Sequence, residues 1–237
     1  MKKILLFVLI IVLIVVGIGY LTVSGKVPSL TNAAFKQVEL GVRETPDEIY
    51  SFYDDIGYVN NLKGETPKSG ELVFEGGIEL DHTFTQSEIN SWIAGWEKDW
   101  SDLPFKNSQI RINSDGTVEA SSSISIPVAE SFAKMLGYTQ EDINKAKTYL
   151  KFIPDPLPLY AKGSASITQN SASYDIQSLK IGGYTVPRSL NEPIAGLLEN
   201  ITAKTRELSV YTNIKEAIVT PEGVKFVGTV PASVDVK

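Results

Sequence analysis

Side chains that commonly do chemistry are scarce in this sequence. It contains one histidine, His82, and no cysteine, which excludes thiolate nucleophiles, thiolate metal sites and disulfides. His82 stands in a polar stretch just before a helix start. Without further ligands at a recognisable spacing it reads as an exposed loop residue, not a metal ligand or general base. No HExxH, GxSxG, SxxK or P-loop pattern occurs. Asp54 and Asp55 are adjacent, so on a helix they point about 100° apart. That suits a solvated face better than a carboxylate pair acting on one substrate. No catalytic residue, metal ligand or cofactor site is expected, and the chain reads as a non-enzymatic protein.

The conspicuous constellation is aromatic. Trp92, Trp96 and Trp100 recur every fourth residue and, with Ile89 and Ile93, fall within about 100° of arc on a helix. So much apolar area on one stripe must be covered. It reads as a core face, or one or more of the three indoles lines an apolar ligand groove or rests at a membrane interface, where a ring apolar at one end and polar at the other is favoured. The sequence Asn200-Ile201-Thr202 matches a glycosylation acceptor formally, but it falls inside an expected helix and receives no role.

These residues must be positioned by elements that the sequence announces, beginning with an anchor. After Met1, Lys2 and Lys3, residues 4–23 are uncharged and rich in Ile, Leu and Val. At about 1.5 Å per residue they are long enough for the roughly 30 Å hydrocarbon layer. The stretch exceeds the apolar core of a typical signal peptide, and an Ala-x-Ala cleavage site is missing. The two lysines place residues 1–3 on the cytoplasmic side, residues 24–30 form a short stem, and residues 31–237 form one extracytoplasmic domain at the cell membrane. Leaving out Lys2 and Lys3 takes the formal charge from −6 to −8. An acidic domain is a poor fit to phosphate backbones, so nucleic acid is not an expected partner; the bilayer is, together with a lipid or an envelope protein.

Three helix starts carry a capping-box pattern, Thr45 with Glu48, Thr85 with Glu88 and Thr139 with Asp142. Each leads into apolar residues at helical spacing, and a fourth helix carries Leu190, Ile194, Leu197, Leu198 and Ile201, with Pro193 in its first turn. Between them the period changes to two. Leu72, Phe74, Ile78 and Leu80 mark a strand with one wet face. Ile110 and Ile112, a turn at Asp115 and Gly116, then Val118, Ala120, Ile124 and Ile126 mark a hairpin. Further hairpins are expected at 160–181, turning near Asn170, and at about 208–230, turning at Pro221 to Gly223. The stretches 85–126 and 139–181 look alike, each a capped helix followed by a hairpin. The expected fold is α+β: an N-terminal transmembrane helix, then an antiparallel, curved sheet of hairpins with amphipathic helices packed on one face.

The segment Leu179-Lys-Ile-Gly-Gly-Tyr-Thr-Val-Pro187, the helix after it and a closing hairpin with Gly223-Val-Lys-Phe-Val-Gly-Thr-Val-Pro231 follow Phe84-Thr-Gln-Ser-Glu-Ile-Asn90 upstream. In this order they resemble small one-pass anchored envelope proteins of Gram-positive bacteria of the YpmS-like kind. Those are similar in pattern to TULIP-like folds, which wrap a curved antiparallel sheet around a long helix and hold lipid in an apolar channel. The resemblance implies a binder of a lipid-like or amphipathic ligand; the alternative is an envelope scaffold or interaction module with a packed core. The helix at 190–206 is shorter than the long helix of those folds, and no binding residue is carried over.

Overall fold

The computed structural model describes residues 36–42, 57, 59–60, 72–100, 103–135, 138–141, 143–144 and 155–236. The expected anchor and stem, the helix after Thr45 and the Asp54-Asp55 pair lie outside them, as does most of the helix after Thr139, for which a first-turn bond from Ile143 N–H to the Thr139 carbonyl (3.1 Å) is described. No helix of the described residues is long and apolar enough to cross a membrane.

The described elements run β1 (Val59–Asn60), β2 (Leu72–Phe84), α1 (Gln86–Asp99), β3 (Phe105–Ile112), β4 (Val118–Ile124), α2 (Ile126–Met135), β5 (Leu157–Thr168), β6 (Ser171–Ile181), β7 (Tyr184–Thr185), α3 (Asn191–Glu207), β8 (Asn213–Thr220) and β9 (Gly223–Val236). This is an α+β fold, and every strand pairing is antiparallel except that of the two-residue β1 with β9.

Hairpin chemistry sets the local pairing. Asp115 accepts from the Thr117 amide (2.9 Å) and Gly116 takes the positive φ of 77° that closes the β3–β4 turn. Gln169 and Asn170 both sit at positive φ, 49° and 65°, as a two-residue turn matched to strand twist requires. The long-range pairing is less regular. One edge of β5 pairs with β6 along its length. Its other edge is shared, since residues 157–163 pair with β4 and residues 166–168 with β8. The sheet therefore forks at β5 into a β4–β3 branch and a β8–β9–β2 branch. Asn170 extends the β8 junction by accepting from the Ile214 amide (2.7 Å) and donating to Asn213 Oδ1 (2.9 Å). At the bulge between Lys162 and Gly163 the neighbouring strand comes so close that a Cβ on Gly163 would lie 2.1 Å from the Asp175 carbonyl oxygen.

The main apolar cluster joins β5, β6 and α3 through Leu157, Ile181, Val186 and Ile194, with Ile124, Leu159, Ile176, Leu179 and Leu198 packed around it. These strand residues share one face, because Leu159 is paired with Ile181 and Ile124 with Leu157. A second cluster of Trp100, Leu103 and Val234, flanked by Phe74, Trp96 and Phe132, ties α1 and α2 to the β2–β9 branch.

Two sequence expectations change here. Ile126 is not a strand residue: β4 ends at Ile124, and the Ser125 carbonyl accepts from Ala129 N–H (2.9 Å) as α2 begins. Pro127 in its first turn, where no amide hydrogen is needed, is the physical reason the chain turns helical. His82 lies on β2 and not in a loop, although its side chain is exposed as expected.

Candidate functional site

Helix α1 begins with the capping box read from the sequence. Thr85 Oγ1 accepts from Glu88 N–H (3.2 Å) and Glu88 Oε2 accepts from Thr85 N–H (2.6 Å). Burial pushes the Glu88 carboxyl up, but the bonds from Thr85 and the contact with His82 outweigh it and hold the group below its ordinary value. His82 Nε2 lies 3.2 Å from Glu88 Oε1 and its ring 4.7 Å from that of Phe84. The histidine therefore braces a helix start. Among the described residues no group of three His, Asp or Glu is placed to hold a metal ion.

The side of α1 turned to the sheet is polar. Asn90, only 1% exposed, accepts from Ile110 N–H (2.8 Å) and donates to the Ile110 carbonyl (2.8 Å). Gln86 Oε1 accepts from Ile112 N–H (2.8 Å) and Glu97 Oε1 from Ser108 N–H (3.0 Å). Three alternate amides on the outer edge of β3 thus meet side chains of one helix face, and the edge is closed to further strand pairing.

This docking fixes where the tryptophans go. At about 100° per residue, Trp92 points roughly 160° away from Asn90, and each four-residue step turns the stripe about 40° back. Trp92 accordingly is 41% exposed, Trp96 half-buried and Trp100 3% exposed. Ring centroids are 6.2 Å apart between Trp92 and Trp96, 5.7 Å between Trp96 and Trp100, and 5.7 Å between Trp100 and Phe132. A continuous aromatic row thus runs from solvent into the second apolar cluster. Trp100 is buried against Leu103 and Val234, whereas Trp92 and part of Trp96 remain open to solvent.

A second constellation was not singled out from the sequence. On the face of β3, β4 and β5 opposite the apolar cluster, Gln109, Glu119, Ser121, Ser123 and Tyr160 are all buried. Residues 36–42 lie over this face as a strap. Leu40 N–H donates to Gln109 Oε1 (2.7 Å), Ser121 Oγ donates to the Val38 carbonyl (2.5 Å) and Ser123 Oγ donates to Gln37 Oε1 (3.0 Å). Gln37 Nε2 donates to the Asn107 carbonyl (2.6 Å), and Arg111 reaches the Leu40 carbonyl at 3.4 Å. Beside the strap, Glu119 accepts from Arg111 (2.7 Å), the Tyr160 hydroxyl (2.7 Å) and Asn113 Nδ2 (3.2 Å). Burial raises the Glu119 carboxyl, yet these donors and the Arg111 charge leave it below its ordinary value. Tyr160 is pushed up to about 12 by burial and by its bond to the carboxylate. A carboxylate with its lone pairs engaged and a phenol held protonated are features of a structural network, not of a proton-transfer site. The signal was present in the sequence as alternate polar residues, Glu119, Ser121 and Ser123, but the same pattern marks a solvated strand face.

Searches of protein-family models, curated proteins and solved structures match nothing to this chain.

Proposed function

We propose that the chain is a membrane-anchored extracytoplasmic protein that binds a lipid-like or amphipathic ligand without catalysing a reaction on it. The observation that carries this reading is the tryptophan row. It offers an apolar strip that starts at the surface with Trp92 and is continuous with buried aromatic residues, the setting in which indole combines an apolar face with a polar N–H. The uncharged stretch at 4–23 supports a location beside lipid, and the resemblance to TULIP-like patterns supports the ligand class and a curved sheet with its helices on one face. Lipid extraction and native mass spectrometry of the chain lacking residues 1–25 test it. Reproducible co-purifying lipid, lost in Trp92→Ala, supports the reading; a lipid-free protein with an unchanged spectrum in that variant opposes it.

A second reading, an envelope scaffold that engages another protein, is favoured by a different observation. The turn between α3 and β8 exposes Leu208, Val210 and Tyr211, with Val210 91% accessible. Three apolar side chains on one turn form a contact surface independent of any groove.

A further inference from the structure

Two exposed apolar positions sit at opposite poles of the sheet. Phe105, 39% exposed, is paired with Ile124, which is paired with Leu157 at the start of β5. The turn with Val210 precedes Asn213, which is bonded to Asn170 just beyond the end of β5. The twelve residues of β5 lie between, a contour of at most about 40 Å at roughly 3.3 Å per residue.

The strap selects between them. Gln37 is tied to the Asn107 carbonyl and to Ser123, two positions from Phe105 and one from Ile124. The described part of the strap therefore begins at the Phe105 pole, with Lys36 exposed. Residues 24–35 link Lys36 to the end of the apolar stretch, and twelve residues reach at most about 40 Å when fully extended. Setting the Val210 pole on the bilayer would draw on that reach and cost conformational entropy of the link. Setting the Phe105 pole down brings Lys36, where the described strap begins, to the bilayer and draws less on that reach. It also places an aromatic ring and an ammonium group at the depth each favours, the lysine facing anionic headgroups.

We propose that the Phe105 pole is the bilayer-facing surface of the domain, with Phe105 and Lys36 at the lipid interface, and that the hydrogen-bonded strap fixes this orientation. The inference rests on the anchored reading. Because the chain has no cysteine, Phe105→Cys, Lys36→Cys and Val210→Cys variants of the full chain each take one environment-sensitive fluorophore. The labelled proteins are reconstituted into phosphatidylcholine vesicles containing phosphatidylglycerol and nitroxide-bearing lipid. Loss of emission at 105 and 36, with emission at 210 preserved, is the expected result. Equal quenching at all three positions, or quenching at 210 alone, overturns the proposal. Vesicle flotation separates the two levels: protein that stays at the bottom of the gradient refutes the anchored reading itself, whereas floating protein with the reversed pattern refutes only the orientation. Gln109→Ala combined with Ser121→Ala tests the strap. The contrast between 105 and 210 should shrink, and an unchanged contrast shows that the strap does not set it.

Discussion

The sheet is covered differently on its two faces, one at β5 and β6 by α3 and the other at β3 and β4 by seven residues of irregular chain. Under α3 the contacts are apolar, with Leu157, Ile181 and Ile194 nearly free of solvent. Under the strap they are polar, because a segment with no ladder partners brings amides and carbonyls that must be met on burial. Gln109 and Ser121 supply those partners. A helix satisfies its own backbone and asks the sheet only for apolar area, whereas an irregular segment asks for donors and acceptors.

Substitutions can separate the two modes, starting where the effect is largest. Ile181→Ala removes a side chain that is 1% exposed and should cost about 2–5 kcal/mol in chemical denaturation, the range for cavities in apolar cores. If the strap face were apolar in effect, substitutions there would cost as much. Asn90→Ala tests polar closure at the β3 edge. It leaves both main-chain groups of Ile110 without their side-chain partner, at about 1–3 kcal/mol for each group that water fails to reach. Tyr160→Phe takes one donor from the buried Glu119 and should cost about 1–3 kcal/mol. Ser121→Ala should cost about 1 kcal/mol and act locally, raising hydrogen exchange at the Leu40 amide while the Ile181 amide keeps its protection.

Titration sharpens the same contrast, since Glu119 and Tyr160, both displaced from their ordinary values, lie on the polar face. Glu119 is held below its ordinary value of 4.5. The stability it contributes is complete above that value and is lost as pH falls through the lower folded value. Tyr160 is raised from 10.0 to about 12, so its contribution is complete below pH 10.0 and is lost as pH rises towards about 12. Thermal unfolding followed across both windows should show both losses in the wild type, and Tyr160→Phe should lack the alkaline one.

Much of the local fold was legible in the sequence, because its signals are local. The capping box at Thr85 and Glu88, the turns at Gly116 and Asn170 and the periodicity of α3 each act within a few residues. The forked sheet was not legible. Whether residues 166–168 pair with β4 or β8 depends on the bulge at Gly163 and on Asn170 meeting Asn213, 43 positions further along the chain. The tryptophan spacing predicted one stripe, but not its twist from solvent to core. That twist follows from which face of α1 meets β3, and Asn90, the residue that decides it, looks from sequence alone like a solvent-facing asparagine. The strap face was missed for a related reason, since Ser121 and Ser123 are buried by chain some eighty residues distant.

The central functional claim is that the exposed end of the tryptophan row receives an apolar chain. It is tested most directly by tryptophan emission during titration with a single-chain phospholipid below its micelle concentration. Trp100 is already buried and Trp96 half-buried, so a saturable blue shift must arise chiefly at Trp92. The account predicts that shift in the wild-type chain and its loss in Trp92→Phe; an emission maximum that stays fixed through the titration, or a shift that persists in the variant, would contradict it.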